Sequence, residues 1–125
     1  MVVDKTVFLL SILKDAKRVY GRTKLQKLVY LCSQKNSEVP YVFEWYRYGP
    51  FSRTLSNDLT DLVKQGLIKE ECEGVSLDDG SISERYVYTI SELGLEYLKN
   101  CASLEPTLQR TVADIVKSYG FMPRK

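Results

Sequence analysis

Leu55-Ser56-Asn57-Asp58-Leu59-Thr60-Asp61-Leu62-Val63-Lys64-Gln65-Gly66-Leu67-Ile68 decides how this chain is read. Leu55, Leu59, Leu62 and Val63 recur at the spacing that puts them on one stripe of a helix. Ser52 supplies an N-cap oxygen just before it, and Gly66 offers the left-handed residue at which helices end. The opposite face is polar, with Arg53, Thr54, Ser56, Asn57, Thr60, Asp61 and Lys64. Immediately afterwards the period changes. Residues 67–73 and 85–90 read as two strands joined by a polar connection holding Asp78-Asp79-Gly80, which makes a β-hairpin. Ser91 then caps a further helix carrying Leu93, Leu95 and Leu98.

Working back toward the start, Asp4 caps a first helix to about Ala16, whose Val7, Leu9, Leu10, Ile12 and Leu13 make a broad apolar face. Thr23-Lys24-Leu25-Gln26 has the capping-box form, so a second helix is expected from there to about Gln34. Between it and Ser52 stands Tyr41-Val42-Phe43-Glu44-Trp45-Tyr46-Arg47-Tyr48-Gly49-Pro50-Phe51, dense in strand-favouring aromatics and closed by a Gly-Pro turn signal. One short strand is expected here. Alternation sets Tyr41, Phe43 and Trp45 on one side and Tyr46 and Tyr48 on the other, and both sides do not fit one small core. Phe43, Trp45 and Phe51 are expected as core anchors. Trp45, Gly49 and Pro50 would steer the chain into the third helix. Tyr41, Tyr46, Arg47 and Tyr48 are the candidate partner-binding residues, since Tyr, Trp and Arg are enriched in binding hot spots. Beyond Pro106 a fifth helix to about residue 119 carries Leu108, Val112, Ile115 and Val116 on one stripe.

The expectation is therefore mostly α with a small β-hairpin: a winged helix with an extra aromatic strand and C-terminal helices. It forms one domain over 1–125, with its core in about 4–100 and the last helix at about 105–119. An exposed fifth-helix stripe would need a cover, so a homodimer through the C-terminal helices is expected, with packing against the first helix as the alternative.

Composition narrows function. At 125 residues, with 44% hydrophobic and 27% charged, the chain can bury a core without disulfides or metal. No window approaches the roughly 18 to 20 apolar residues of a membrane span. Cys32, Cys72 and Cys101 are odd in number and widely spaced, which fits neither a disulfide framework nor paired zinc ligands, so a reducing cytoplasm is expected and each cysteine is read as a small buried hydrophobe. The chain has no histidine, which removes the commonest general base and metal ligand. It also lacks a nucleophile elbow, P-loop or dinucleotide fingerprint. Neither an enzyme nor a cofactor is expected. Charge is lopsided: residues 1–35 carry a net +6, whereas residues 67–90 carry a net −4. Arg22, Lys24 and Lys27 at the start of the second helix, with Arg53, Ser56 and Asn57 on the third, are the candidate nucleic-acid contacts, and Lys17 and Arg18 stand nearby in sequence.

Two stretches carry a resemblance. Leu55-x3-Leu59-x2-Leu62-x3-Gly66-Leu67-Ile68 followed by Tyr88-Thr89-Ile90-Ser91-x2-Gly94-x3-Leu98 resembles the third helix, wing and fourth helix of PadR-like and MarR-like regulators, with Ser91 where a Thr is usual. Residues 23–31, TKLQKLVYL, together with Phe43-x-Trp45-x2-Tyr48-Gly49-Pro50-Phe51-Ser52, resemble the YwgA-like proteins and the related Panacea domain. The resemblance implies a winged-helix binding module; the expected role is a DNA-linked regulator, with an antitoxin-like, protein-neutralising domain as the alternative. The chain departs from a standard helix-turn-helix in placing 17 residues between Gln34 and Ser52, where a turn of a few is usual.

Overall fold

The computed structural model describes residues 3–47, 49–101 and 103–120. Five α-helices and two small antiparallel sheets are present among them, an α+β arrangement. The order is α1 (Lys5–Ala16), β1 (Val19–Tyr20), α2 (Arg22–Lys35), β2 (Glu44–Tyr46), β3 (Gly49–Phe51), α3 (Arg53–Lys64), β4 (Ile68–Ser76), β5 (Ile82–Ile90), α4 (Glu92–Asn100) and α5 (Pro106–Ile115). A π-helical turn, Val116–Gly120, follows α5.

The local signals that set helix ends act as their chemistry dictates. Asp4 accepts from the amides of Thr6 and Val7, Ser52 from Leu55 and Ser91 from Gly94, so each satisfies donors that a helix start leaves open. At the end of α3, Gly66 sits at φ +80°, its amide donates to Val63, and the Leu67 amide reaches back to Leu62, 3.0 Å away. That closure turns the chain straight into β4. The second helix departs from expectation. It begins at Arg22 with Gly21 as N-cap and no side-chain cap bond. Thr23 is thus already inside the helix, and the capping box does not form because Gln26 is engaged elsewhere.

The three-stranded sheet has the order β1-β5-β4. Its two-residue strand β1 escaped the sequence reading. Val19 faces Tyr88 and Tyr20 faces Val87, and the Gly21 amide extends the ladder to Tyr86, 2.8 Å away. The β4–β5 ladder runs from Ile68↔Ile90 to Ser76↔Ile82, longer than the expected strands because the polar residues past Glu73 continue pairing up to a short turn. The expected single aromatic strand is a second hairpin, with Glu44↔Phe51, Trp45↔Pro50 and Tyr46↔Gly49. Residues 41–43 lie outside it. Pro50 is tolerated because a two-stranded ribbon has only edge strands.

The core is built on α1, where Phe8, Leu9, Leu10, Ile12 and Leu13 are all buried. Around it pack Leu25, Leu28 and Val29 of α2, Leu55 and Leu59 of α3, and Tyr88 of β5. Leu108, Val112, Ile115 and Val116 are also fully covered, packed against α1 and α2. The fifth-helix stripe is therefore satisfied within one chain, and the ground on which a homodimer was expected is gone. Cys32 is buried as expected, whereas Cys72 is exposed on β4, so the buried reading fails there; Cys101 lies between.

Candidate functional site: an aromatic hairpin against two helix starts

Gln26 explains how the site is assembled. It lies on the apolar stripe of α2 between Leu25 and Val29 and is only 5% exposed, so its amide needs partners inside the protein. It finds both on one residue: Nε2 donates to the Ser52 carbonyl oxygen at 3.0 Å, and Oε1 accepts from the Ser52 amide at 2.8 Å. The exit of the aromatic hairpin and the start of α3 are thereby pinned to the first turns of α2.

Between these elements lies a cavity of about 280 Å³. Leu25, Leu55 and Leu59 give it buried aliphatic walls, while Pro50 and the stacked rings of Tyr46 and Phe51, 5.2 Å apart and 16° from parallel, close one side. Residues two apart on a strand share a face and neighbours point oppositely. Trp45 accordingly turns away from Tyr46 and meets Tyr30 edge-on at 5.5 Å, beside Phe43, which meets the same ring at 5.5 Å.

Three apolar side chains here face water: Val42 is 85% exposed, Trp45 71% and Tyr46 51%. Trp45 was expected in the core and is not there. The Tyr30 ring and Phe43 already occupy the space beneath it, and a three-residue ribbon strand has no second layer to receive the indole. Phe43 and Phe51 are partly buried.

The candidate partner-binding residues divide. Tyr46 and Arg47 are exposed. Tyr48 lies outside the described residues. Tyr41 is a correction: it is buried against Phe8, and its hydroxyl donates to Asp58 Oδ2 at 2.7 Å. Burial, with the Asp58 charge beside it, pushes its phenol well above the ordinary tyrosine range.

Among the candidate nucleic-acid contacts, Arg22 is engaged within its own chain while its side chain stays 37% exposed. Its Nε donates to the Tyr88 hydroxyl at 2.9 Å, and Nη1 reaches Thr60 Oγ1 at 3.1 Å and Ser56 Oγ at 3.3 Å. Its Nη2 pairs with Glu70 Oε2 at 3.3 Å, while the Tyr88 hydroxyl donates to that same oxygen at 2.5 Å. Burial and the Glu70 hydrogen bond push the Tyr88 phenol up to about 12. This guanidinium, and Ser56 with it, serves to fasten α2, α3 and the long hairpin together. Lys27, Arg53 and Asn57 remain on the surface. Lys24 is half-buried, and burial together with the Lys27 charge lowers its ammonium pKa. Because Gln26 holds Ser52, the neighbours Lys27 and Arg53 are brought to adjoining turns.

Sequence reasoning missed Gln26, Tyr30 and Val42 as parts of this site. Gln26 did leave a signal, a lone amide on an otherwise apolar stripe. Val42 and Tyr30 left none, because their roles depend on where the hairpin comes to rest.

With this geometry in view, the chain can be set beside a known protein. The chain is similar to YwgA of Bacillus subtilis (strain 168). It is 26% identical to it over 110 residues, covering 88% of this chain and 63% of that uncharacterized protein, so the chain spans less than two thirds of its relative's length. No protein-family model matches. No helix among the described residues is long and apolar enough to cross a membrane.

Proposed function

We propose that this chain is a non-catalytic binding module of the winged-helix type, and that its aromatic hairpin contacts a partner protein. The observation that carries the reading is Trp45, 71% exposed, with Val42 and Tyr46 also exposed close by in the chain. An indole left in water beside other apolar groups loses the free energy that burial would give it, roughly 25 cal/mol per Å². Exposed aromatic side chains are characteristic of contact surfaces, where Trp, Tyr and Arg dominate the energetics, and Arg47 stands in the turn of this hairpin. The three-helix core formed by α1, α2 and α3, with β4–β5 projecting as a wing beside β1, supports the winged-helix assignment. Resemblance to the Panacea domain points to the same class of role, since some of its members neutralise a toxin protein. Three unpaired cysteines, one of them exposed, fit a reducing compartment such as the cytoplasm.

Contact with DNA is the second reading, favoured by the exposed Lys27, Arg53 and Asn57 at neighbouring helix starts. It is the weaker one, because Arg22 is consumed internally and the wing carries six carboxylates against two cations in residues 67–90.

The test is a photoreactive benzophenone side chain placed at position 45 of the full chain and irradiated in lysate of cells that express it, with Asp78 on the wing turn as the control position. Nuclease-resistant protein adducts of discrete mass at position 45, absent at 78, are expected. Trp45→Ala should remove the interaction while costing less than about 1 kcal/mol of stability, the ordinary range for a surface site. Adducts that vanish with nuclease, or the same adducts from both positions, refute the protein-partner reading.

A further inference from the structure

The cavity between α2, the hairpin and α3 has walls of two kinds. Leu25, Leu55 and Leu59 give it buried aliphatic surface, and Pro50 with the Tyr46–Phe51 stack gives it a ring-lined side. Its volume of about 280 Å³ lies just below the range of about 300–1,000 Å³ that takes drug-sized ligands. A dry cavity of about 150 Å³ lined by Leu, Ile and Phe already holds benzene, so one or two fused rings are the size this space suits. Rings also suit its walls, because stacked and edge-on contacts with Tyr46 and Phe51 add to what burial alone gives.

The lining argues against a charged occupant. Among the described residues that line the cavity, Arg22 is the only charged one. Its guanidinium is paired with Glu70 at 3.3 Å and donates to the hydroxyls of Tyr88, Ser56 and Thr60. An anion would have to displace Glu70, and a cation would find no carboxylate among these residues. Gln26, the buried amide of the lining, is bonded twice to Ser52. An entering molecule thus meets apolar surface and committed polar groups, where an uncharged molecule loses least on leaving water.

The occupant is also separate from whatever sits on Trp45. Neighbours on a strand point to opposite faces, so the Tyr46 ring that walls the cavity and the Trp45 indole lie on opposite sides of the ribbon. A partner protein seated on the indole covers the other face and leaves the cavity to a smaller guest.

We propose that this cavity is a binding site for a small uncharged aromatic molecule of one or two rings, held between α2, α3 and the hairpin. The site goes beyond the protein-partner reading and does not depend on it.

The probe is indole, with methylindole, indoleacetate and tryptamine as relatives that keep the ring and change the charge. Each is titrated into the full chain carrying isotope-labelled methyl groups and followed by nuclear magnetic resonance. Indole and methylindole are expected to shift the methyl signals of Leu25, Leu55 and Leu59 saturably, with a dissociation constant below about 1 mM. Indoleacetate and tryptamine should bind at least tenfold more weakly than methylindole. Tyr46→Ala removes an aromatic wall at a half-exposed position and should weaken indole at least fivefold. Thr23→Trp, at an exposed position in the lining, should weaken it as much, with unchanged circular dichroism. The proposal is overturned if indole shifts none of these methyls, if the anion or the cation binds as well as methylindole, or if neither variant weakens binding. It is overturned as well if indole fails to bind while Thr23→Trp abolishes the protein adducts at position 45, which would give the cavity to the partner protein. Adducts at position 45 without indole binding would remove the cavity site alone, and indole binding without adducts would remove the protein-partner reading alone.

Discussion

Replacing Gln26 with Leu isolates the contact that joins α2 to the hairpin exit. The two side chains are nearly equal in volume, so no cavity opens, and what disappears is the pair of hydrogen bonds to Ser52 at 2.8 and 3.0 Å. Their fates differ. The Ser52 carbonyl still accepts the Ser56 amide at 3.1 Å as part of α3. The Ser52 amide is left buried without its partner, and a stranded donor costs about 1–3 kcal/mol on top of about 1 kcal/mol for the other bond. Burying a leucine where an amide stood returns part of this, so a net loss of about 2–3 kcal/mol is expected. With a urea slope near 2 kcal/mol per molar, typical of a small domain, the unfolding midpoint should fall by about 1–1.5 M. Equilibrium urea unfolding followed by far-ultraviolet circular dichroism measures it. A shift below about 0.3 M with an unchanged slope would mean that the Gln26–Ser52 pair does not hold the hairpin to α2.

Gly94→Ala should destabilise by about 1–3 kcal/mol, read as a lower thermal midpoint, because a Cβ there meets the Leu67 carbonyl oxygen, which is backbone, and lies 2.7 Å from Ile90 Cγ1. Cys32, whose thiol burial pushes up to about 12, should resist alkylation in the folded protein while exposed Cys72 reacts; equal rates measured by mass spectrometry would contradict the packing of α2. Glu105 accepts from the Thr107 amide first and the Leu108 amide second as N-cap of α5, which holds its carboxyl below the usual glutamate range. A depressed folded-state pKa contributes stability above the unfolded value near 4.5 and loses it as pH falls through the folded one. Glu105→Gln should therefore be less stable than the parent at neutral pH, with the gap closing in acid, and a gap constant with pH would refute the cap's charge contribution.

What could be read from the chain is what neighbours in sequence decide. Asp4, Ser52 and Ser91 cap helices because the amides they satisfy lie two or three residues ahead, and Gly66 ends α3 within the same local frame. Apolar stripes gave α1, α3 and α5 for the same reason. What could not be read depends on distant partners. Val19 and Tyr20 become a strand only because Tyr88 and Val87 arrive beside them. Arg22 looked like a phosphate contact, as any arginine at a helix start does, until Glu70 and Tyr88, 48 and 66 residues away, claimed its guanidinium. Tyr41 and Trp45 stand on the same side in the alternation of residues 41–48, yet one is buried and the other exposed, because the extended stretch becomes a strand only at Glu44 and the periodicity does not run through.

The packing of α5 also governs when this domain can exist during synthesis. Leu108, Val112, Ile115 and Val116 seal the side of α1 and α2 that no earlier element covers. A ribosome that has delivered everything through α4 has released a chain whose central helix still shows an oily flank, and only the last turns of α5 close it. Contacts between α1 and α5 close the longest loop between described helices, so they come at the largest loop-entropy cost and form late. In the interval that flank is open to chaperones and to other nascent chains, and a chain cut before α5 would keep it open for good.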